Sequence, residues 1–249
     1  MKVLFLDIDG VLQPLGRQTR FEHKDEYPEL AIRLNKEIPG DFDYADYIKD
    51  NYINTCDLGA VYYDWDKPAM DRLRRILDTT GAKIVLSSTW RDMGKRLISA
   101  LMAIHQLDHY LIGATFCVTT EERHADYIKA NQKANEANKV FQLIRDGLKS
   151  TIHKNDPKQY IYVEERAAEI REYLDRHPEI IAYVAVDDIN LENGLEGHFV
   201  GTNYRLEEKH VQPCLDILNR EDGPYPLNKE AYAAELNAWR EKNIAMCGF

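Results

Sequence analysis

The chain has 249 residues, of which 44% are hydrophobic and 30% charged, and its mean hydropathy is −0.51. This composition is typical of a globular protein and excludes a collagenous, disordered or membrane-embedded chain. The 42 acidic and 32 basic residues give a formal net charge of −10, which argues against nonspecific binding to DNA or to an anionic membrane surface.

The sequence indicates a cytoplasmic protein. The apolar start, residues 1–6, meets Asp7 and Asp9 too early for a signal peptide, and no uncharged apolar run approaches the ~18 residues of a membrane span. The four cysteines lack CxxC spacing, so we expect free thiols of a reducing compartment, with zinc ligation as the lesser alternative. They are Cys56, Cys117, Cys214 and Cys247.

The first predicted element is a strand at residues 2–6, where a continuous apolar run is typical of a strand buried on both faces. Residues 13–64 follow with scattered prolines, glycines and charges and one short helix predicted near residues 29–36. This segment is too long for a bare loop, so we expect an inserted cap.

Regular alternation of helices and strands begins at Asp66, which is predicted to cap a helix with Pro68 in its first turn and Gly81 just past its end. Further strands are predicted at residues 83–86, 110–116, 180–186 and 198–202, and helices at 92–106, 164–176, 207–219 and 227–242.

This order predicts an α/β fold, a Rossmann-like three-layer parallel sheet with the cap inserted after the first strand and a helical insertion after the third. The predicted core comprises residues 1–12, 65–118 and 160–221. The cap spans 13–64, the second insertion 119–159 and a C-terminal helical extension 222–249.

Acidic residues follow two of the predicted strands. Asp7 and Asp9 project to the same side of the first strand at its carboxyl end, where open α/β sheets bind ligands. Asp187 and Asp188 end a later apolar strand that should open at the same edge. Converging carboxylates repel one another unless a cation compensates, and hard oxygen ligands favour magnesium. Gly10 permits a tight turn beside them, although a strand that simply ends in a turn would also explain the first pair.

Two small hydroxyls, Ser87 and Ser88, directly follow the buried strand at residues 83–86. They could donate to a phosphoryl oxygen, or they could form a capping turn into the next helix.

Together these motifs resemble a family. A strand followed by Asp7-Ile8-Asp9-Gly10, a strand followed by Ser87, and a strand followed by Asp187-Asp188 look like motifs I, II and IV of the haloacid dehalogenase (HAD) superfamily. The runs at residues 87–91, 166–170 and 199–200 look most like the small HAD domains associated with RNA-repair proteins.

The resemblance implies a role for each residue. Asp7 would be the nucleophile that forms an aspartyl-phosphate, and Asp9 would protonate the leaving oxygen and then deprotonate the attacking water. Magnesium would be held by Asp7, the backbone carbonyl of Asp9, and Asp188, with Asp187 orienting metal-bound water. The phosphate-binding residues would be Ser87, Ser88, Gly10 and Arg166.

Motif III departs from the family pattern, because Arg166 stands where a lysine is usual. Arginine also binds phosphate, so Arg166 could fill the role of that lysine. Lys158 and Arg91 are alternative candidates for the role, and Arg166 could instead be a solvated charge on a helix surface.

Specificity is expected to come from the insertions. The aromatic residues of segment 42–65 could stack on a nucleobase or pack as the cap's own small core. They are Phe42, Tyr44, Tyr47, Tyr52, Tyr62, Tyr63 and Trp65. A basic cluster, Arg17, Arg20, His23 and Lys24, could contact a second phosphate or form a solvated loop.

We therefore expect a magnesium-dependent phosphohydrolase that cleaves a small phosphomonoester, which could be a nucleotide, through an aspartyl-phosphate. One alternative is a polynucleotide-end phosphatase, which the acidic charge disfavours. Another is a catalytically silent HAD-like binding or regulatory module, which only the missing lysine supports. No membrane partner is expected.

Overall fold

The computed structural model describes residues 1–49, 51–115, 165–192, 194–195 and 197–220. Five parallel strands form one sheet in the order β3-β2-β1-β4-β5. The strands are β1 (Lys2–Leu6), β2 (Lys83–Leu86), β3 (Leu111–Ala114), β4 (Ala182–Asp187) and β5 (Phe199–Gly201). With helices between the strands, this arrangement confirms the predicted α/β, Rossmann-like class.

The central strand β1 pairs with β2 on one side and with β4 on the other. Its residues from Val3 to Leu6 are at most 1% exposed, which explains the unbroken apolar run. Full burial of each such side chain contributes roughly 1.5–3 kcal/mol, so β1 firmly anchors the residues that follow it.

Seven α-helices are described, and short 3-10 helices lie at Thr19–Glu26, Thr89–Met93 and Asp108–Tyr110. The α-helices are α1 (Tyr27–Glu37), α2 (Tyr44–Ile48), α3 (Tyr52–Gly59), α4 (Lys67–Thr80), α5 (Lys95–Ala103), α6 (Glu165–Arg176) and α7 (Glu208–Leu218). The single helix predicted at 92–106 is divided, because Gly94 with φ +82° separates a 3-10 helix from α5.

Helix α4 begins and ends as its sequence predicts. The Asp66 carboxylate accepts a hydrogen bond from the Ala69 N–H at 3.2 Å, and Gly81 ends the helix with φ +69°. Because α4 connects two parallel strands, it runs antiparallel to them, and its N-terminus lies at the carboxyl edge of the sheet.

The predicted cap segment packs against the main core. Tyr44 and Trp65 are buried, and the Tyr44 hydroxyl donates to the Ala100 carbonyl at 2.6 Å. The cluster that contains β1 also includes the cap residues Tyr27, Leu30, Leu34, Leu58 and Val61, with Phe42, Tyr62 and Tyr63 packed partly buried against it. These aromatic residues therefore join a core shared with the sheet, and no separate core of the cap is seen in the described part.

Several predictions fall outside the described residues. They include the second insertion at 119–159, the C-terminal extension at 222–249, Lys158, Cys117 and Cys247. Cys56 and Cys214 are free thiols, and burial raises the pKa of Cys214 to about 12. None of the described helices is long and apolar enough to cross a membrane.

Candidate active site

The site is built on the carboxyl ends of neighbouring strands. Leu6 of β1 is level with Leu86 of β2 and with Val186 of β4, so the residues that follow each strand are level too. The sheet hydrogen bonds continue one step further, because the Asp7 N–H donates to the Val186 carbonyl at 3.1 Å and the Ser87 N–H to the Leu6 carbonyl at 2.8 Å. Backbone register thus brings Asp7, Ser87 and Asp187 side by side.

Three carboxylates converge at this edge. One oxygen from each of Asp7, Asp187 and Asp188 lies within 4.8 Å of the other two. Asp7 and Asp187 are buried and Asp188 is half-buried. Among the described residues this is the one cluster of acidic, histidine or cysteine side chains with such spacing, and its all-oxygen donor set suits a hard divalent cation.

Burial and mutual repulsion shift the proton affinity of these acids upward. Burial raises the pKa of Asp7 to about 6, although Arg166 and the nearby Ser88 hydroxyl favour the charged form. Burial, followed by the charge of Asp7, raises the pKa of Asp187 to about 7. Burial also raises the pKa of Asp188. Burial thus favours the protonated acids, and a bound cation would oppose this shift by favouring the charged carboxylates.

Arg166, in the first turn of α6, reaches into this cluster. Its Nη1 atom lies 3.0 Å from Asp7 Oδ2 and 2.8 Å from Asp187 Oδ2. Burial disfavours the charged guanidinium, but the two carboxylates outweigh this and raise the pKa of Arg166. The side chain is only 16% exposed, so Arg166 is not the solvated surface charge that the sequence left open.

Of the competitors for the motif III position, Arg91 has other partners. It donates to Thr115 Oγ1 at 3.0 Å and pairs with the buried Glu169 at 2.7 Å. Lys158 lies outside the described residues. Of the two described candidates, Arg166 is the one seen in contact with Asp7.

Asp9 is not one of the three clustered carboxylates, and its side chain is held by a tryptophan. The indole Nε1 of Trp90 donates to Asp9 Oδ2 at 3.1 Å, and Trp90 packs edge-on against Trp65 with 5.7 Å between ring centroids. This contact is not predicted by the sequence pattern. Its only signal was the position of Trp90 three residues after Ser87, at the same sheet edge.

Gly10 is where motif I and motif IV meet. Its φ is +74°, and a Cβ placed there would lie 2.6 Å from the Cβ of Asp188. The Gly10 carbonyl accepts a hydrogen bond from Thr202 Oγ1 at 2.7 Å, a second contact that the sequence did not reveal. Glycine thus provides both the turn and the space that Asp188 occupies.

Two serine hydroxyls lie beside the acids. Ser87 and Ser88 are buried, and neither hydroxyl meets hydrogen-bond geometry with a partner in the described part of the protein. The Ser88 hydroxyl still lies close enough to Asp7 to favour its charged form. Buried hydroxyls without partners are uncommon, and a phosphoryl oxygen would satisfy such a donor.

The basic cluster of the cap separates into residues with different partners. Arg20 is paired through its backbone N–H and its guanidinium with the buried Asp64, at 3.0 and 2.9 Å. His23 stacks on Tyr63, with 4.1 Å between ring centroids. Lys24 lies over the Phe21 ring. Arg17 instead contacts Asp66 at 3.3 Å.

Comparison with known proteins gives one match. The model of a family described as the HAD domain in Swiss Army Knife RNA repair proteins matches residues 3–211, which is most of the chain. No curated protein and no solved structure matches.

Proposed function

The chain belongs to this HAD family, whose hydrolase chemistry is of the phosphohydrolase type, and from that premise we propose that it is a magnesium-dependent phosphomonoesterase. The observation that carries the proposal is the cluster of three carboxylates in which Arg166 contacts Asp7. We propose a cytoplasmic location, as the composition and the cysteine pattern suggest.

The donor set fits magnesium. Both oxygens of Asp187 already accept hydrogen bonds, Oδ2 from Arg166 and Oδ1 from the Ile189 N–H at 2.8 Å. Asp7, Asp188 and the backbone carbonyl of Asp9 would therefore hold the ion, with Asp187 beside it orienting bound water. The ion would neutralise the carboxylates and the phosphate so that like charges can meet.

The nucleophile in this proposal is Asp7. One of its oxygens attacks phosphorus, the bond from phosphorus to the leaving oxygen breaks, and an aspartyl-phosphate forms. The contact with Arg166 favours the ionised form of Asp7 that attacks, against the burial that raises its pKa.

Asp9 carries the proton. As a carboxylic acid it donates to the leaving oxygen, and as a carboxylate it then accepts a proton from the water that attacks the aspartyl-phosphate. This second attack releases inorganic phosphate and restores Asp7. The hydrogen bond from Trp90 fixes the orientation of the Asp9 side chain.

The phosphoryl oxygens would be held by Arg166 and the hydroxyls of Ser87 and Ser88. The Gly10 N–H, which the sequence also assigned to phosphate binding, instead donates to the Gln13 carbonyl at 2.7 Å. The buried Ser87 hydroxyl, which has no hydrogen-bond partner in the described part of the protein, supports this assignment. Arg166 would compensate charge that develops in the transition state.

The test is hydrolysis of p-nitrophenyl phosphate with magnesium and after chelation. We expect magnesium-dependent activity that Asp7→Asn abolishes and Asp9→Asn reduces strongly, with Asp9→Asn retaining metal binding. Asp71→Asn, on the exposed face of α4, is the matched control and should behave as wild type. Turnover by Asp7→Asn near the wild-type rate would show that Asp7 is not the nucleophile.

A second candidate is a phosphatase that acts on the phosphorylated end of a polynucleotide. The family's description, which names RNA repair proteins, favours it, whereas the net charge of −10 opposes extended contact with a phosphate backbone. A screen of phosphosugars, nucleotides and 3′- and 5′-phosphorylated oligonucleotides distinguishes the two. Binding without hydrolysis in that screen would favour the silent regulatory module.

A further inference from the structure

Two arginines share a single carboxylate near the candidate active site. Arg17 Nη1 lies 3.3 Å and Arg205 Nη1 3.2 Å from the same oxygen, Oδ1 of Asp66. The other Asp66 oxygen caps α4 through the Ala69 N–H. One buried carboxylate thus serves two guanidiniums and a helix N-terminus.

This arrangement leaves positive charge uncompensated. Of the acids nearby, Glu207 is paired with Lys209 at 2.7 Å and Asp64 with Arg20 at 2.9 Å. In the described part of the chain, Asp66 is the carboxylate that Arg17 and Arg205 contact directly, and Glu207 acts on Arg205 only from a longer distance while it pairs with Lys209. Because both guanidiniums approach one oxygen, they repel each other, and an additional anion would relieve that repulsion.

The pair lies at the same edge of the sheet as Asp7. The N-terminus of α4 is at the carboxyl edge, and Arg205 follows β5, which also ends there. The Asp66 N–H donates to the Leu12 carbonyl at 2.7 Å, and the Leu206 N–H to the Val11 carbonyl at 2.9 Å. Both arginines are therefore tied to the turn that directly follows motif I.

The guanidiniums are also accessible. The Arg17 and Arg205 side chains are 36% and 39% exposed, and each uses only Nη1 in its contact with Asp66. Two exposed apolar residues are close to them in the sequence, Leu15 shortly before Arg17 and Tyr204 directly before Arg205, and the Leu15 N–H donates to the Tyr204 carbonyl at 3.3 Å. Cationic donors beside an exposed aromatic ring suit a ligand that has both an anionic group and a flat apolar part.

We propose that Arg17 and Arg205 form a second anion subsite, which binds a substrate phosphate other than the one that is cleaved. The inference rests on the proposed phosphatase function and narrows its substrate class to phosphomonoesters that carry a further phosphate. The nucleoside or similar group between the two phosphates would lie against Tyr204 and Leu15.

The test compares adenosine 3′,5′-bisphosphate with the matching 3′- and 5′-monophosphates. For wild type we expect kcat/KM at least tenfold higher for the bisphosphate than for the better monophosphate. Arg17→Gln with Arg205→Gln, which retains amide donors for Asp66, should lower this ratio tenfold or more. The Lys variants, which keep the charge, should restore part of it. The control is Arg176→Ala, a substitution in the last turn of α6 and outside the proposed subsite.

The two proposals fail in different ways. If no phosphate ester is hydrolysed, the proposed function is wrong, and calorimetric binding of the same three nucleotides to wild type and to the double Gln variant still tests the subsite. If hydrolysis occurs without preference for the bisphosphate, or the double Gln variant keeps the preference, the subsite is wrong while the phosphatase stands. Thermal unfolding of each variant verifies that it is folded.

Discussion

Arg166→Ala is the substitution with the clearest expected cost. The guanidinium lies 3.0 Å from Asp7 and 2.8 Å from Asp187, and its loss leaves two buried carboxylates without their shared cationic partner. Loss of one preorganised electrostatic partner costs about 10²–10³-fold in kcat, or roughly 2.7–4 kcal/mol. We expect a loss of this size for Arg166→Ala.

The pH dependence gives a second measure of the same contact. Burial raises the pKa of Asp7 to about 6 even though Arg166 lowers it, so removal of Arg166 raises it further. Each unit by which the pKa of Asp7 exceeds the assay pH reduces the ionised fraction of Asp7 about tenfold, which corresponds to about 1.36 kcal/mol. The acidic limb of the kcat/KM profile should therefore move to higher pH in Arg166→Ala and less in Arg166→Lys.

The assay is steady-state hydrolysis of p-nitrophenyl phosphate at saturating magnesium from pH 5 to pH 9. Arg176→Ala on the same helix controls for an effect on α6, and thermal unfolding controls for the stability lost with a buried ion pair, roughly 3–5 kcal/mol. A folded Arg166→Ala with wild-type turnover would refute the reasoning. Loss of activity in Lys158→Ala or Arg91→Ala would then assign the role to that residue. If all three variants, at residues 91, 158 and 166, kept wild-type turnover, the third motif would have been misread.

Three further outcomes are expected. Gly10→Ala should lose about 1–2 kcal/mol of stability from its positive φ alone, and isothermal titration should show weaker magnesium binding because the new Cβ would displace Asp188. Because burial raises the pKa of Asp187 to about 7, the metal-free folded chain binds a proton that the unfolded chain has lost, and its free energy of unfolding should fall as pH rises from about 4 to about 7. Thermal unfolding with chelator should show a smaller slope in Asp187→Asn than in wild type. Equal slopes in the two proteins would contradict this prediction. Trp90→Phe should lower kcat several-fold in the phosphatase assay with little change in KM, since an aromatic ring remains but the donor to Asp9 is lost. Unchanged kcat would exclude a positioning role for Trp90.

The sheet could be predicted because its signals are local. Runs such as residues 2–6 are buried on both faces, and the N-cap residue Asp66 and the terminating residue Gly81 flank the same helix, α4. The carboxyl edge follows from topology alone, since every parallel strand ends there. The sequence therefore predicted which acids follow strands.

The partners of these residues could not be predicted, because they come from distant parts of the chain. Trp90 donates to a carboxylate 81 positions away, and Arg205 shares Asp66 across 139 positions. No periodicity or spacing relates such pairs. Arg205 was absent from the predicted basic cluster for this reason, and Arg166 could not be separated from Arg91 until the contacts with Asp7 and Glu169 were seen.

The two adjacent acids of motif IV have different tertiary contacts, which distinguish roles that the sequence alone cannot distinguish. Asp187 ends β4, and both of its oxygens accept hydrogen bonds, from Arg166 and from the Ile189 N–H. Asp188 lies against Gly10, where any side chain would collide with it. The position of Asp188 relative to Asp7 is thus set by the backbone of motif I and by the register of β1 with β4, before any cation binds. A site preorganised in this way holds its repelling carboxylates together at the expense of stability, and it is this stored repulsion that a divalent ion would relieve.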